Sequence, residues 1–402
     1  MDSSLFCLPI DLAGEGIAPV VANAVDRAGV AGVSLAVAYH DARDVLPHNP
    51  LRRVSYGGAG VCFRPDARRY ARCGLSPRIS GVAGDRDVLR ELCEEAARRG
   101  AAVHAWTVFL HDDAGIGAAE DAQVRNVYGD PNPTGLCPAN EAVRDYAVAL
   151  TEDILRYPVT SILAEALSYL PFDHGYHHER AFVVLPPAAR LLLGACFCRS
   201  CEGAGRRAGV DVEHVRLAVR GYLGPLLAGT RRDEEPLEAL ISSLADGELA
   251  RYLTVRSEQV TTLVAAVCSA ARAAGRDLTF LDLSAGIKGW SDGEPSGAPG
   301  GESAWHLGID IDAIGRLCPV SVPAYARSRE RVAAELAYYA GRPGHAGLGA
   351  LLRPMAPDCD SAENLCAKLD AVRAAGARRV DFYSYGFMPL GSLDWIAAAM
   401  DG

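Results

Sequence analysis

Thr160-Ser-Ile-Leu-Ala-Glu-Ala-Leu-Ser-Tyr169 is a short apolar run that ends on a carboxylate. A run of this length and composition suits a strand buried on both faces, as in a parallel sheet. Helical spacing over 140–156 precedes it, and a long excursion from 171 to 256 follows it, before a further helix over 258–274. The same alternation extends in both directions. Further strands are expected over 5–11, 32–39, 102–109, 278–282, 320–325, 347–353 and 379–385, with helices over 18–28, 85–99, 328–340 and 361–375 between them. Eight strands alternating with helices indicate an α/β chain folded as a (β/α)8 TIM barrel. A doubly wound sheet is the runner-up, but Gly14-Glu-Gly16 after the first strand lacks the third glycine of a phosphate-binding turn. Residues 1–402 are read as one barrel domain, with 171–256 as an inserted helical excursion.

Flanking the fourth strand is an unusual set of cysteines: Cys137 upstream, and Cys196-Phe-Cys-Arg-Ser-Cys201 downstream. Four thiolates close a tetrahedral structural zinc site with no open position, so Cys137, Cys196, Cys198 and Cys201 are the expected Zn2+ ligands. Such a site would brace the segment that carries Glu165. The competing reading is that these are small buried residues, a common fate of free cysteine.

Composition narrows the function. The chain has 402 residues, half of them hydrophobic, and a net charge of −10. That balance argues against a nucleic-acid partner, which needs a basic face. No apolar run reaches the length of a membrane span, and Met1-Asp-Ser-Ser4 does not open like an export signal. A cytoplasmic location, reduced thiols and a small-molecule partner are therefore expected, with a homo-oligomer as the default. Lysine is confined to Lys288 and Lys368, so imine chemistry is poorly supplied.

In a barrel, chemistry gathers where strands end and loops begin. Those positions here are rich in aromatics, histidines and carboxylates, the equipment of a polyol pocket. Glu165 is the candidate general acid, because a carboxyl at the end of an apolar strand is desolvated and its pKa raised. Asp282, Asp358 and Asp11 are the other candidate catalytic carboxylates at or just beyond the strand ends. His40, Trp106, His111, Tyr169, Tyr325, Arg353, Tyr383 and Tyr385 are the candidate substrate-binding residues. Asp173-His-Gly-Tyr-His-His-Glu-Arg180 adds His174, His177 and His178, read as pocket residues, a metal site or a loop contact.

The order of Cys137, a helix opening at Asn140, a strand ending in glutamate and a C-x-C-x-x-C run resembles the glycoside hydrolase family 42 β-galactosidases. Leu136-Cys-Pro-Ala-Asn-Glu-Ala-Val-Arg-Asp-Tyr146 is similar to their Cys-x-Asn-x-x-x-Arg-x-Tyr segment, with one extra residue after the cysteine. The resemblance covers roughly residues 100–205. It implies Glu165 as acid/base, the four cysteines as zinc ligands and cleavage of a glycosidic bond, with Asp282, Asp358 or Asp11 supplying the second carboxylate. Two positions differ from that pattern: Ala164-Glu165 stands in place of Asn-Glu, and Arg353-Pro-Met-Ala-Pro-Asp358 has no glutamate after the seventh strand. Two other functions stay open: a barrel lyase or isomerase using His174, His177 and His178, and a sugar-binding barrel without turnover.

Overall fold

The computed structural model describes residues 1–118, 122–174, 180–230, 236–284 and 298–402. Eight parallel strands form a closed ring: β1 (Asp2–Cys7), β2 (Gly32–Tyr39), β3 (Ala102–Val108), β4 (Ser161–Glu165), β5 (Asp277–Leu281), β6 (Val320–Pro323), β7 (Leu348–Leu352) and β8 (Arg379–Phe382). Each pairs with its neighbours in sequence, and β8 returns to β1 with Leu5 beside Phe382. Helices surround the ring, so the expected (β/α)8 barrel is the observed fold. The strands read as nearly continuous apolar runs because both faces are covered.

The barrel interior is layered. At its lower end Ser4 and Arg379 share the Asp381 carboxylate, while His104 bonds Ser161 at 2.8 Å. Above that polar plug lie Phe6, Ala36, Trp106, Leu163, Leu281 and Leu351, and the site rests on this floor.

Several boundaries differ from the sequence reading. β1 ends at Cys7, and Asp11 lies in a helix, Pro9–Glu15, whose entry Pro9 starts. The helix expected from 258 begins at Glu248 and runs to Ala273. The excursion contains helices Pro187–Gly194, Arg199–Arg207, Val212–Leu227 and Leu237–Ser243. Two hairpins lie outside the barrel order: Ala42–Val45 with Val54–Gly57, and Gln123–Arg125 with Pro131–Leu136. The second turns at Asn126, whose side chain accepts from the Tyr128 and Asp130 amides, with Gly129 at a φ of 94°. No described helix is long and apolar enough to cross a membrane.

Candidate active site

A cavity of about 420 Å³ opens at the C-terminal ends of the strands. Glu165 stands in its wall at the end of β4. The main chain there is pinned to the end of β3: the Phe109 amide donates to Glu165 O at 3.0 Å and the Leu110 amide to Ala166 O at 3.2 Å. Ala166, the next residue, has a φ of 51°, a left-handed conformation that L side chains adopt rarely and that clusters at functional sites. The indole N–H of Trp106 donates to Glu165 Oε2. Burial pushes the Glu165 carboxyl up to about 7; the Trp106 hydrogen bond and the nearby His111 oppose this without cancelling it. Glu165 thus keeps its proton well above the ordinary carboxylate range and loses it only as pH passes through about 7.

Aromatic rings surround that carboxyl. Trp106 meets Tyr39 edge-on at 4.6 Å and Tyr383 at 5.8 Å, and Tyr325 lies 5.9 Å from Tyr383. All four line the cavity, as do Tyr169 and Ser168. Burial drives the Tyr39 and Tyr325 hydroxyls well above their ordinary range, so they remain neutral donors. Arg353, at the end of β7, also faces the cavity. Its guanidinium lies 4.3 Å over the Tyr325 ring, and its Nε pairs with the buried Asp358 carboxylate.

The three aspartates expected as second carboxylate are absent from the cavity wall, each held by its own partners. Asp358 is bound beneath Arg353, and Lys368 Nζ donates to the Asp358 carbonyl at 2.6 Å. Asp282 accepts from Ser284 and from Tyr339 OH at 2.6 Å. Asp11 accepts from the Leu8 amide at 2.8 Å. A Cβ at Gly386 would fall 2.1 Å from its Oδ1, so only glycine allows this approach. Tyr385 also turns away from the cavity, donating to Glu15 at 2.6 Å and accepting from Asn23 at 2.8 Å. The carboxylates that line the cavity among the described residues are Glu165 and Asp173, the latter paired with Arg190.

Histidines from three loops meet on one side. His40 stacks on His111 at 4.6 Å, and His111 Nδ1 lies 3.2 Å from His174 Nε2. His40 and His174 face the cavity. Burial lowers both to about 4, with the neighbouring His111 as a further cause, so both are neutral at pH 7. His177 and His178 lie outside the described residues.

Behind the wall, Cys137, Cys196, Cys198 and Cys201 converge, with all four sulfurs within 4.8 Å of one another. From Cys137 the distances are 3.4 Å to Cys201, 3.5 Å to Cys198 and 3.9 Å to Cys196. A tetrahedral ion with 2.3 Å bonds to sulfur would separate the sulfurs by about 3.8 Å. The hairpin ending at Leu136 delivers Cys137, and the Phe197 amide donates to Arg125 O at 2.7 Å, closing hairpin and excursion together. Arg256 is buried with Nε and one Nη unbonded, 4.2 Å over the Tyr169 ring, whose hydroxyl lies 3.1 Å from Cys201 Sγ. A buried guanidinium without an ion pair among the described residues calls for negative charge nearby. A metal-bound thiolate cluster supplies it, and four neutral thiols do not. The cluster can hold a metal ion.

No family model matches the chain, and no curated protein matches it by sequence. Solved structures do share its fold. A β-galactosidase from the psychrophilic Marinomonas ef1 superposes with a TM-score of 0.58 at 12% identity, over 100% of this chain and 59% of that one. The β-amylase catalytic domain of Paenibacillus polymyxa gives 0.54 at 11% identity, over 98% and 94% of the two chains. A β-galactosidase from Bacillus circulans sp. alkalophilus gives 0.53 at 12% identity, over 96% and 50%. These neighbours are glycoside hydrolases. At such identities the likeness is one of fold, and this chain spans 59% of the first neighbour's length.

Among the residues the sequence reading did not assign to the site, Asp173, Asp113 and Arg256 stand out. Asp173 adjoins His174 and Asp113 lies two residues beyond His111, both histidines that the pattern marks. Arg256 carried no signal, since a basic residue in a helix ordinarily faces solvent.

Proposed function

We propose that this chain is a carbohydrate-active barrel enzyme that cleaves a glycosidic bond, with Glu165 as general acid. The observation that carries this reading is a carboxyl raised to about 7, set in an aromatic-lined cavity at the mouth of the barrel. Protonated Glu165 delivers its proton to the departing glycosidic oxygen. Trp106, Tyr39, Tyr325 and Tyr383 offer apolar faces to the sugar ring and hydroxyls to its edge. Asp173 is assigned the second carboxylate role, activating water, because it is the other cavity carboxylate among the described residues. The four cysteines hold structural Zn2+, which fixes Tyr169 and the excursion behind the Glu165 wall. The finer likeness to family 42 β-galactosidases is supported by that cluster beside β4 and by the two β-galactosidases among the fold neighbours. Residues 1–402 act as one barrel unit in this reading.

A panel of nitrophenyl glycosides tests it. Wild-type protein should release nitrophenol from at least one sugar. The rate should fall as pH rises through about 7, because Glu165 acts in its protonated form. A second reading, sugar binding without turnover, is favoured by Arg353 and its Asp358 partner at the end of β7. It would show as saturable sugar binding with no release from any glycoside in the panel.

A further inference from the structure

His40 follows β2, while His111 and Asp113 follow β3. One ligand atom from each of these three residues lies within 4.8 Å of the other two. His111 Nε2 is buried and faces Asp113 Oδ2 at 3.3 Å. The pair is an ordinary histidine–carboxylate contact in this structure, and its spacing is also the one two ligands of a single ion would have. A tetrahedral ion with bonds of about 2.05 Å separates its ligand atoms by about 3.3 Å.

The remaining atoms of the three side chains are engaged as those of metal ligands are. His40 Nδ1 lies 2.9 Å from the Asp41 carbonyl, which makes it the protonated nitrogen and leaves Nε2 with its lone pair. His111 Nδ1 lies 3.2 Å from His174 Nε2. Asp113 Oδ2 accepts from the Asp41 amide at 3.0 Å. Each ligand is thus oriented by an outer partner, as metal-binding histidines and carboxylates are. Next to Asp113, the Asp112 carboxylate accepts from the Ile116 and Gly117 amides at 2.9 and 2.7 Å.

We propose that His40, His111 and Asp113 bind a divalent first-row transition metal ion, with Zn2+ as the reference ion, at the edge of the cavity. His174 is the outer partner of His111. The two ligand rings stack 13° from parallel, so a bound ion requires them to turn until their lone pairs converge. Two histidines and one carboxylate leave coordination positions open. His40 lines the cavity, so an open position takes a water or the hydroxyls of a bound ligand. The site stands whether or not the cavity hydrolyses glycosides.

The test compares zinc uptake by the full chain, after dialysis against a weak chelator, with that of Asp113→Asn and His40→Gln. Wild type should bind one equivalent of Zn2+ more than either variant, or bind it at least about 10-fold more tightly. His174→Gln should weaken the same equivalent about 10–100-fold. Co2+ loading separates this site from the cysteine cluster: the cluster gives intense sulfur-to-metal absorption, and the nitrogen-oxygen site gives weak visible bands only. Thermal melts report whether each variant is folded. The two single variants remove different loops' contributions, so one folded variant suffices. Equal zinc stoichiometry and affinity in wild type and a folded variant would overturn the proposal.

Discussion

The ends of β4 and β7 face the same cavity and present opposite chemistry. At β4, Glu165 sits among aromatic rings with an indole as its hydrogen-bond partner, and burial raises its pKa to about 7. At β7, Arg353 is neutralised by Asp358, which Lys368 holds through its carbonyl. One end holds a buried carboxyl with a raised pKa; the other holds an ion pair. The difference teaches that this mouth carries an acid without a carboxylate across from it on β7. Any second carboxylate acts from elsewhere, and Asp173, which follows β4 in the chain, is the other described carboxylate that lines the cavity. The β4 end also adjoins the cysteine cluster, which Tyr169 touches and which, holding zinc as proposed, would brace it.

Removing that brace should produce the largest effect. Cys198→Ser, or removal of zinc by a strong chelator, should lower unfolding stability by at least about 5 kcal/mol in urea titrations, because metal binding free energy is folding free energy. An unchanged midpoint would show that the thiols act as packing alone. At the β7 end, Arg353→Met removes the guanidinium paired with the buried Asp358 and should cost about 3–5 kcal/mol, whereas Arg353→Met with Asp358→Leu should recover most of the loss. If the double variant is no better than the single one, the pair is not what holds this end.

Glu165→Gln should separate the two ends by pH. The folded carboxyl holds its proton up to about 7, against 4.5 for the ordinary group, so the native state binds the extra proton between those values. Wild-type stability therefore falls as pH rises through that window. The glutamine variant, which does not titrate, should gain on wild type by about 2–3 kcal/mol between pH 5 and pH 8. The smallest effect should come from Trp106→Phe. It removes the hydrogen bond that favours the carboxylate and should raise the Glu165 pKa further, by about half a unit to one unit, as read by carboxyl NMR titration.

The barrel was legible because buried parallel strands leave continuous apolar runs, and β2 was bounded at both ends from Gly32 and Tyr39 alone. The cysteine cluster was legible from spacing. The hairpin that delivers Cys137 was not, since Pro131 and Pro133 mask an edge strand. Most strand ends were read one to four residues too far, and that error put Asp11 and Tyr385 at the site, whereas Asp358 was taken from the loop after β7. Pro9 starts a helix that turns Asp11 under Gly386, and Tyr385 is drawn to Glu15 and Asn23. Glu165, Trp106, Tyr325, Arg353 and Tyr383 face the cavity because they lie on the strands or within two residues of their ends. Tertiary pairing decided the others, and no local pattern encodes it.

The most direct test of Glu165 as the general acid compares wild type and Glu165→Gln on glycosides with poor and with good leaving groups. With a poor leaving group, loss of the acid should slow hydrolysis about 100–10,000-fold. With 2,4-dinitrophenolate, which departs without protonation, the variant should stay close to wild type. Equal losses on both substrates, or a wild type that binds sugar and releases neither phenol, would contradict it.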